Sequence, residues 1–223
     1  MKTTLKIDWA TYKSAKYACL NWHYSKAIPA GAMVKIGVWE GRTFIGCIIF
    51  SKGANYNIMA PYGLNQTEGC ELTRIALREH KSPVSRILKI ALLFLKRSNP
   101  KLKLLVSYAD GSQGHHGGIY QATNWIYTGE SQASSFVLNG KKVHKRTLSS
   151  KFGKSSLNFL KSKGLNIKIV KDAPKHKYLL PLDQETKDKI ILLKKPYPKR
   201  EKQAMAVLQT AQRQGSTDLY APS

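Results

Sequence analysis

Hydrophobic positions between residues 70 and 125 change their spacing twice, which predicts a strand, a helix and a second strand. Residues 72–77 form a short apolar run, and Ser82-Pro83 then begins a segment whose apolar residues recur at helical spacing. Asn99-Pro100 ends this segment, and residues 102–106 are apolar almost throughout. A nearly continuous apolar strand after a helix is typical of a buried strand parallel to the first one. The pattern therefore predicts a central strand–helix–strand unit.

The same analysis extends to the rest of the chain and defines the fold class. A glycine turn at Glu40-Gly41-Arg42 joins two apolar segments into a hairpin. Strands mixed with helices predict an α+β (mixed α/β) protein with a central mixed β-sheet and flanking helices. The predicted strands are 1–9, 33–39, 43–50, 125–127, 135–138, 167–170 and 178–182, and the predicted helices are 10–20, 155–163 and a further one after residue 118.

The charge of the chain indicates what kind of partner it binds. The chain has 37 Lys and Arg residues and 13 Asp and Glu residues, which gives a net charge of +24. This balance indicates a polyanionic partner, and nucleic acid is favoured over a membrane surface because no amphipathic anchor is evident. The alternative, generic solubilising charge, would normally mix both signs. Basic residues are densest at 141–177, where twelve residues are Lys or Arg and only Asp172 is acidic. We expect a folded basic insertion that contacts the DNA backbone through Lys141, Lys142, Lys145, Arg146, Lys151 and Lys154.

The chain is long enough for one domain with extensions. We expect a single catalytic domain at 1–195, which includes the basic insertion, and a flexible polar tail at 196–223. The cysteines lack CxxC spacing, no apolar run approaches 18 residues, and the amino terminus has no signal-peptide core. A soluble cytoplasmic protein without membrane association is therefore expected. The absence of GxGxxG, GxxxxGK[S/T] and HExxH motifs argues against dinucleotide, P-loop and zinc-protease chemistry.

Several polar residues lie where such a sheet collects ligands. Backbone N–H groups of residues 80–86 would point out of a helix start, where anions such as phosphates bind, although a purely structural connection fits the pattern equally well. Asp110 follows the second strand, at the edge where open sheets bind ligands. His115-His116 is a weak metal signal because adjacent side chains diverge. Glu71 is either the partner of Arg74 or a base.

Short motifs, in one order over most of residues 20–180, carry a resemblance to a known family. They are Asn21-Trp22-His23-Tyr24-Ser25, Pro61-Tyr62-Gly63-Leu64, Glu71-Leu72-Thr73-Arg74, Lys81-Ser82-Pro83-Val84-Ser85-Arg86, Ser107-Tyr108-Ala109-Asp110, His115-His116-Gly117-Gly118-Ile119-Tyr120-Gln121-Ala122-Thr123-Asn124-Trp125 and Lys175-His176-Lys177-Tyr178. With these motifs the chain resembles the phage Mom proteins, which modify adenine in phage DNA and are built on the GNAT acyltransferase fold.

The resemblance implies a GNAT-like enzyme that adds a carbamoylmethyl group to adenine N6 in DNA, which would protect phage DNA from restriction. It implies an acetyl-CoA or related acyl-CoA donor. The glycine-rich pyrophosphate loop of acyltransferases is absent, and residues 80–85 stand in its place. The implied catalytic residues are His23, Tyr24, Asp110 and Tyr120, with Tyr120 as a general acid near the coenzyme sulfur, and the implied coenzyme contacts are Arg74, Ser82, Val84, Ser85 and Arg86.

The expected product makes a metal attractive. A carbamoylmethyl group joins nitrogen through CH2, so forming it from an acetyl methyl group requires breaking C–H bonds, which acid–base residues alone do badly. A redox metal would help. His23, Asp110 and a Tyr120 tyrosinate are nitrogen and oxygen ligands suited to Fe(II).

Adenine N6 is paired inside duplex DNA, so the base must flip out or the substrate must be single-stranded. Trp22, Tyr24, Tyr56 or Tyr62 could stack on an extruded base. Two other functions stay open: an N-acetyltransferase of the same fold that acts on a protein or small amine, and a non-catalytic DNA-binding protein. The oligomeric state also stays open, with a homodimer as one option.

Overall fold

A computed structural model describes residues 4–29, 31–53, 57–132, 134–143 and 145–199. The strands are β1 (Leu5–Trp9), β2 (Ala32–Glu40), β3 (Thr43–Ser51), β4 (Gly69–Leu77), β5 (Leu104–Asp110), β6 (Ile126–Ser131), β7 (Ser134–Leu138), β8 (Lys141–Val143), β9 (Ile167–Lys171) and β10 (Lys175–Pro181). The helices are α1 (Tyr12–Trp22), α2 (Val84–Ser98), α3 (Gly118–Gln121), α4 (Lys145–Phe152), α5 (Leu157–Ser162) and α6 (Gln184–Ile191). A large sheet with flanking helices is the predicted α+β class.

Seven strands form the central sheet in the order β1-β2-β3-β4-β5-β10-β6. Neighbouring strands are antiparallel except β4 and β5, which run parallel. Helix α2 connects these two strands, so the predicted strand–helix–strand unit is confirmed. Pro83 directly precedes the helix, and the buried face of the helix carries Ile87, Leu88, Ala91, Leu92 and Leu95. This apolar stripe anchors α2 on the sheet.

The parallel pair separates before its strands end. β4 pairs with β5 only over Gly69–Leu72, opposite Leu104–Ser107. Beyond these residues β4 continues to Leu77 and β5 continues to Asp110 without pairing to each other. β5 meanwhile stays bonded to β10 along its whole length. The resulting gap opens the centre of the sheet, and His23, Tyr24, Arg74, Asp110 and Tyr120 lie around it.

Different elements cover the two faces of the sheet. Small residues of α1, Ala15 and Ala18, pack against Cys47 and Ile49 of β3. Helix α2 packs on the opposite face, in the main core, with alternate residues of β2, β3 and β4. Because side chains alternate along a strand, Tyr108 and Asp110 of β5 belong to the α1 face while Ala109 belongs to the α2 face.

The basic stretch after β6 folds into a second sheet. Its strand order is β8-β7-β9, and both pairings are antiparallel. α4 and α5 pack on this sheet around Phe136, Leu148, Leu160 and Ile167, which form a hydrophobic cluster of their own. The segment then returns to the central sheet as β10. The insertion therefore has its own small core and presents its lysines from ordered elements.

Several element boundaries differ from those that the sequence predicted. Helix α1 extends to Trp22, so His23 is its C-cap residue with extended backbone. Asp110 is the last residue of β5 rather than the residue beyond it. β8, α4 and α6 were not predicted, because their segments are short and rich in polar residues and show no clear apolar period. No helix within the described ranges is both long enough and apolar enough to cross a membrane.

Candidate active site

Two cavities meet at the gap between β4 and β5. The first, of about 700 Å³, is called the aromatic cavity; its lining includes Trp22, His23, Ile75, Leu77, Val84, His115, Ile119 and Tyr120. The second, of about 860 Å³, is called the polar cavity; its lining includes Asn57, Glu71, Ser112, Ser131, Lys142, Asp172, Lys175 and Lys177. Residues common to both linings form the junction, and they are Tyr24, Thr73, Arg74, Tyr108 and Asp110.

His23 is held in one orientation at the end of α1. The backbone N–H of Ser25 donates to His23 Nδ1 at 3.1 Å, and Ser25 Oγ lies 2.8 Å from the same nitrogen. Because Nδ1 accepts the amide hydrogen, the proton of the neutral ring belongs on Nε2. Burial, followed by the charges of Arg74, His115 and Lys26, lowers the pKa of His23 to about 4. His23 is therefore a neutral imidazole at physiological pH.

Tyr24 links His23 to the glycine-histidine loop. Its ring centroid lies 4.3 Å from that of His23, with the two rings tilted by 32°. It lies 5.6 Å from the ring centroid of His115, in an edge-on arrangement. The side chain is 50% exposed although it stands at the junction of the cavities. An exposed ring in this position is available to a ligand in either cavity.

Arg74 is anchored by carbonyl groups rather than by a carboxylate. Its Nη1 donates to the carbonyl oxygen of Thr73 at 2.7 Å, and its Nε donates to that of Ala27 at 3.4 Å. A register shift between Ile49 and its neighbour on β3 explains why Arg74 breaks the simple alternation of β4. Its guanidinium charge consequently remains available at the junction.

Asp110 is a pre-oriented carboxylate. Its Oδ1 accepts hydrogen bonds from the Ser112 backbone N–H at 3.1 Å and from the Ser112 hydroxyl at 2.6 Å, and Lys175 Nζ lies 3.3 Å from Oδ2. Partial burial acts to raise the pKa of Asp110, but these bonds and the Lys175 charge bring the pKa below its ordinary value. Asp110 is therefore ionised at neutral pH and can accept a hydrogen bond or a proton.

Tyr120 is a buried, protonated phenol. Ser107 Oγ lies 2.8 Å from both the Leu72 carbonyl oxygen and Tyr120 Oη. The carbonyl can only accept, so the Ser107 hydroxyl donates to it and Tyr120 donates to Ser107. Burial raises the pKa of Tyr120 to about 12. A phenol of this kind suits the predicted acid role, because it keeps its proton until a reacting group takes it.

The three predicted iron ligands do not fit a shared metal ion in this arrangement. Tyr120 is protonated and bonded to Ser107, so the tyrosinate that iron would require is disfavoured. Both Asp110 oxygens have partners, and His23 Nδ1 faces Ser25. Within the described ranges no cluster of three or more His, Cys, Asp or Glu side chains could hold a metal. We assign no step to iron.

The predicted anion site before α2 already holds an anion. The Glu40 carboxylate, at the end of β2, accepts the backbone N–H of Lys81 at 3.0 Å and that of Ser82 at 2.6 Å. Hydrogen bonds from Ser82 and Lys81 lower the pKa of Glu40. Of the predicted coenzyme contacts, Arg74 and Val84 line the aromatic cavity, whereas Ser82 binds Glu40 and Ser85 and Arg86 lie outside the lining.

The predicted DNA contacts and base-stacking residues are distributed unevenly. Lys142 lines the polar cavity and pairs with Asp172 at 2.8 Å. Lys141, Lys151 and Lys154 are exposed on the insertion, and the side chains of Lys145 and Arg146 lie outside the described residues, as does Tyr56. Trp22 and Tyr24 line the aromatic cavity, and Tyr62 is buried.

Two lysines of the polar cavity received no predicted role. Lys175 and Lys177 alternate along β10, so both face the cavity while His176 and Tyr178 face the other side. The sequence shows that Lys175 and Lys177 alternate along a strand. It does not show which strand lies beside β10, and that neighbouring strand determines which cavity the two lysines line.

Helix α2 connects the two strands of the open parallel pair, and the two cavities meet at the gap between these strands. The chain belongs to the Mom protein family, whose model matches residues 4–199. It is 26% identical over 130 residues to the methylcarbamoylase mom of Escherichia phage Mu. That match covers 56% of this chain and 54% of the relative, so the chain spans about half the length of the relative.

Among solved structures, the chain is similar to a Bacillus subtilis acetyltransferase crystallised in complex with CoA. The two share 15% sequence identity with a TM-score of 0.43, over 81% of this chain and 99% of the other.

Proposed function

We propose that this protein is a DNA-modifying transferase that adds a carbamoylmethyl group to adenine N6, and thereby protects phage DNA from restriction. The observation that carries the proposal is the pair of cavities joined at one junction. A group donor in the aromatic cavity and a base in the polar cavity would meet at Tyr24, Thr73 and Asp110. Family membership supports DNA as the substrate.

Adenine N6 reaches this junction only if the base leaves the helix or comes from single-stranded DNA. The N6 amino group donates hydrogen bonds, and the ionised Asp110 carboxylate accepts them. When N6 forms a bond to the incoming carbon it loses one proton, for which Asp110 is the acceptor. With an acyl-CoA donor, the C–S bond breaks when an ammonia-level nitrogen displaces sulfur at the carbonyl carbon, and the thiolate leaves with the electron pair and takes a proton from Tyr120. Joining N6 to the acetyl methyl carbon also removes two electrons, so the complete reaction requires a two-electron oxidant as a co-substrate. His23 and Tyr24, whose tilted rings contact each other, would position the donor.

The donor implied by the family is acetyl-CoA or a related acyl-CoA. Its acyl end would enter the aromatic cavity past Val84 and Ile119. Its diphosphate could use the Lys81 and Ser82 amides only by displacing Glu40. Recognition of the acyl end by the cavity is therefore the main contribution to donor binding that we propose.

Nucleoside mass spectrometry tests the function directly. DNA from cells that express the wild-type protein should contain deoxyadenosine heavier by one carbamoylmethyl group. The same DNA from cells that express His23→Ala or Asp110→Asn at equal soluble level should lack it. Unmodified DNA beside abundant wild-type protein would contradict the proposal, and acetylated proteins or amines in those cells would favour the N-acetyltransferase.

A further inference from the structure

The three lysines that line the polar cavity differ in their charge partners. Lys142 Nζ lies 2.8 Å from Asp172 Oδ1, and Lys175 Nζ lies 3.3 Å from Asp110 Oδ2. Lys177 has no carboxylate within ion-pair distance among the described residues. Among the lysines of this cavity, Lys177 is thus the one whose charge is not offset by an acid of the described residues.

The surroundings of Lys177 fix its position without neutralising it. Its Nζ lies over the ring of Tyr62, 5.1 Å from the centroid. The ring is itself buried, and its hydroxyl has no hydrogen-bond partner in the described part of the chain. A cation over an aromatic face gains roughly 0.5–2 kcal/mol, but the neutral ring leaves the net charge of the cation unchanged. Tyr62 therefore supports the lysine and leaves its charge in place.

The platform under Lys177 is rigid. Tyr62 closes the 3₁₀ turn Ala60–Tyr62, which Gly63 ends with a left-handed φ of +67° and a hydrogen bond to the Ala60 carbonyl. The next turn is fixed by a capping box between Asn65 and Glu68. These local hydrogen bonds fix the backbone of the turn that carries Tyr62, and the burial of its ring fixes the surface on which the ammonium lies.

A half-buried ammonium without a counter-ion is costly, and the cost disappears when an anion binds. Burial also lowers the pKa of Lys177, as expected for a cation that has lost water and gained no acid. Under the proposed function, the anion that DNA brings to this cavity is a phosphodiester. We propose that Lys177, seated on Tyr62, binds the backbone phosphate beside the target adenine. This inference rests on the proposed function and assigns a residue to its DNA side.

The test uses fluorescence anisotropy with a short labelled oligodeoxynucleotide that contains one adenine, titrated with the full chain at several salt concentrations. Lys177→Gln should bind roughly tenfold more weakly than wild type, and its slope of log affinity against log salt should fall by about one. Lys187→Gln, on the exposed face of α6, removes the same charge and should change affinity less than about twofold. Lys177→Arg should restore most of the affinity.

A neutral methylphosphonate placed at each linkage around the adenine locates the contact. At one linkage, the methylphosphonate should lower the DNA affinity of the wild-type protein roughly tenfold and leave the DNA affinity of Lys177→Gln unchanged. The inference is overturned if Lys177→Gln binds like Lys187→Gln, or if every linkage affects both proteins equally. If the wild-type protein modifies DNA and Lys177→Gln binds the oligonucleotide with wild-type affinity, this inference is overturned and the proposed function stands. If the wild-type protein binds no oligonucleotide, both this inference and the proposed function are overturned.

Discussion

The two cavities treat negative charge in opposite ways. Beside the aromatic cavity, the backbone amides that could bind an anion are occupied by Glu40 of the same chain. In the polar cavity, the ammonium of Lys177 faces inward with no acid among the described residues to offset its charge. The first side thus already holds a carboxylate, whereas the second side presents an ammonium that no described acid pairs with. Under the proposed function, this difference favours the polar cavity for DNA, whose phosphates are anionic.

The largest expected effect comes from Asp110, one of the five residues that both cavities share. Asp110→Asn keeps the hydrogen-bond geometry toward Ser112 but removes the charge that accepts a proton, so modification should fall at least about 100-fold. DNA binding should change little. The measurement is modified deoxyadenosine per unit of soluble protein. Asp188→Asn, on exposed α6, should retain full activity. Normal activity of Asp110→Asn would remove the junction from the chemistry.

The aromatic cavity also depends on a glycine. Gly117 has a φ of +83°, and an added Cβ would lie 2.3 Å from the Tyr178 ring. Gly117→Ala should therefore lower the free energy of unfolding by about 2–4 kcal/mol. Gly114→Ala has a similar φ of +70° in open space and should cost only about 1 kcal/mol. Urea denaturation of both variants measures this difference. Equal losses in the free energy of unfolding would show that the Tyr178 ring moves to accommodate the added methyl group.

Removing Glu40 should make the two cavities more alike. In Glu40→Ala the amides of Lys81 and Ser82 become free, so affinity for CoA should rise roughly tenfold while affinity for S-acetylpantetheine stays the same. Calorimetry with both ligands measures the difference. If Glu40→Ala and wild type bind CoA equally, the diphosphate does not use these amides.

The smallest expected effect concerns pH. His23 has a pKa of about 4 in the folded protein against an ordinary 6.5. As pH falls below about 6.5 the unfolded chain takes up this proton first, so stability decreases progressively down to about pH 4. His23→Gln should show a shallower loss between pH 7 and pH 5 in urea midpoints. If the urea midpoint falls equally with pH in both proteins, the pKa of His23 is the same in the folded and unfolded chain.

Sequence pattern predicted the parts of this protein that depend on local order. The apolar period of α2 and the apolar run of β5 identified the central unit, and Asp110 was predicted at the edge of the sheet because it follows that run. Family resemblance supplied His23, Tyr24 and Tyr120. Those residues, together with Arg74 and Val84, do line the aromatic cavity.

What the pattern could not supply depends on strand order. Glu40 and Ser82 are 42 positions apart, and they meet because the end of β2 lies beside the start of α2. Lys177 faces Tyr62 for a similar reason, since β10 inserts between β5 and β6 after a long excursion. Alternation along a strand tells which side chains share a face, but it does not tell which other segment covers that face.

The early separation of β4 and β5 also has a kinetic consequence. Because the aromatic and polar cavities reach the junction from different sides and share only its five residues, both can be filled at the same moment. Neither substrate has to depart before the other arrives, and no side chain has to carry the transferred group in between. Initial-rate plots at varied concentrations of both substrates should give intersecting lines, the signature of a sequential rather than a double-displacement enzyme.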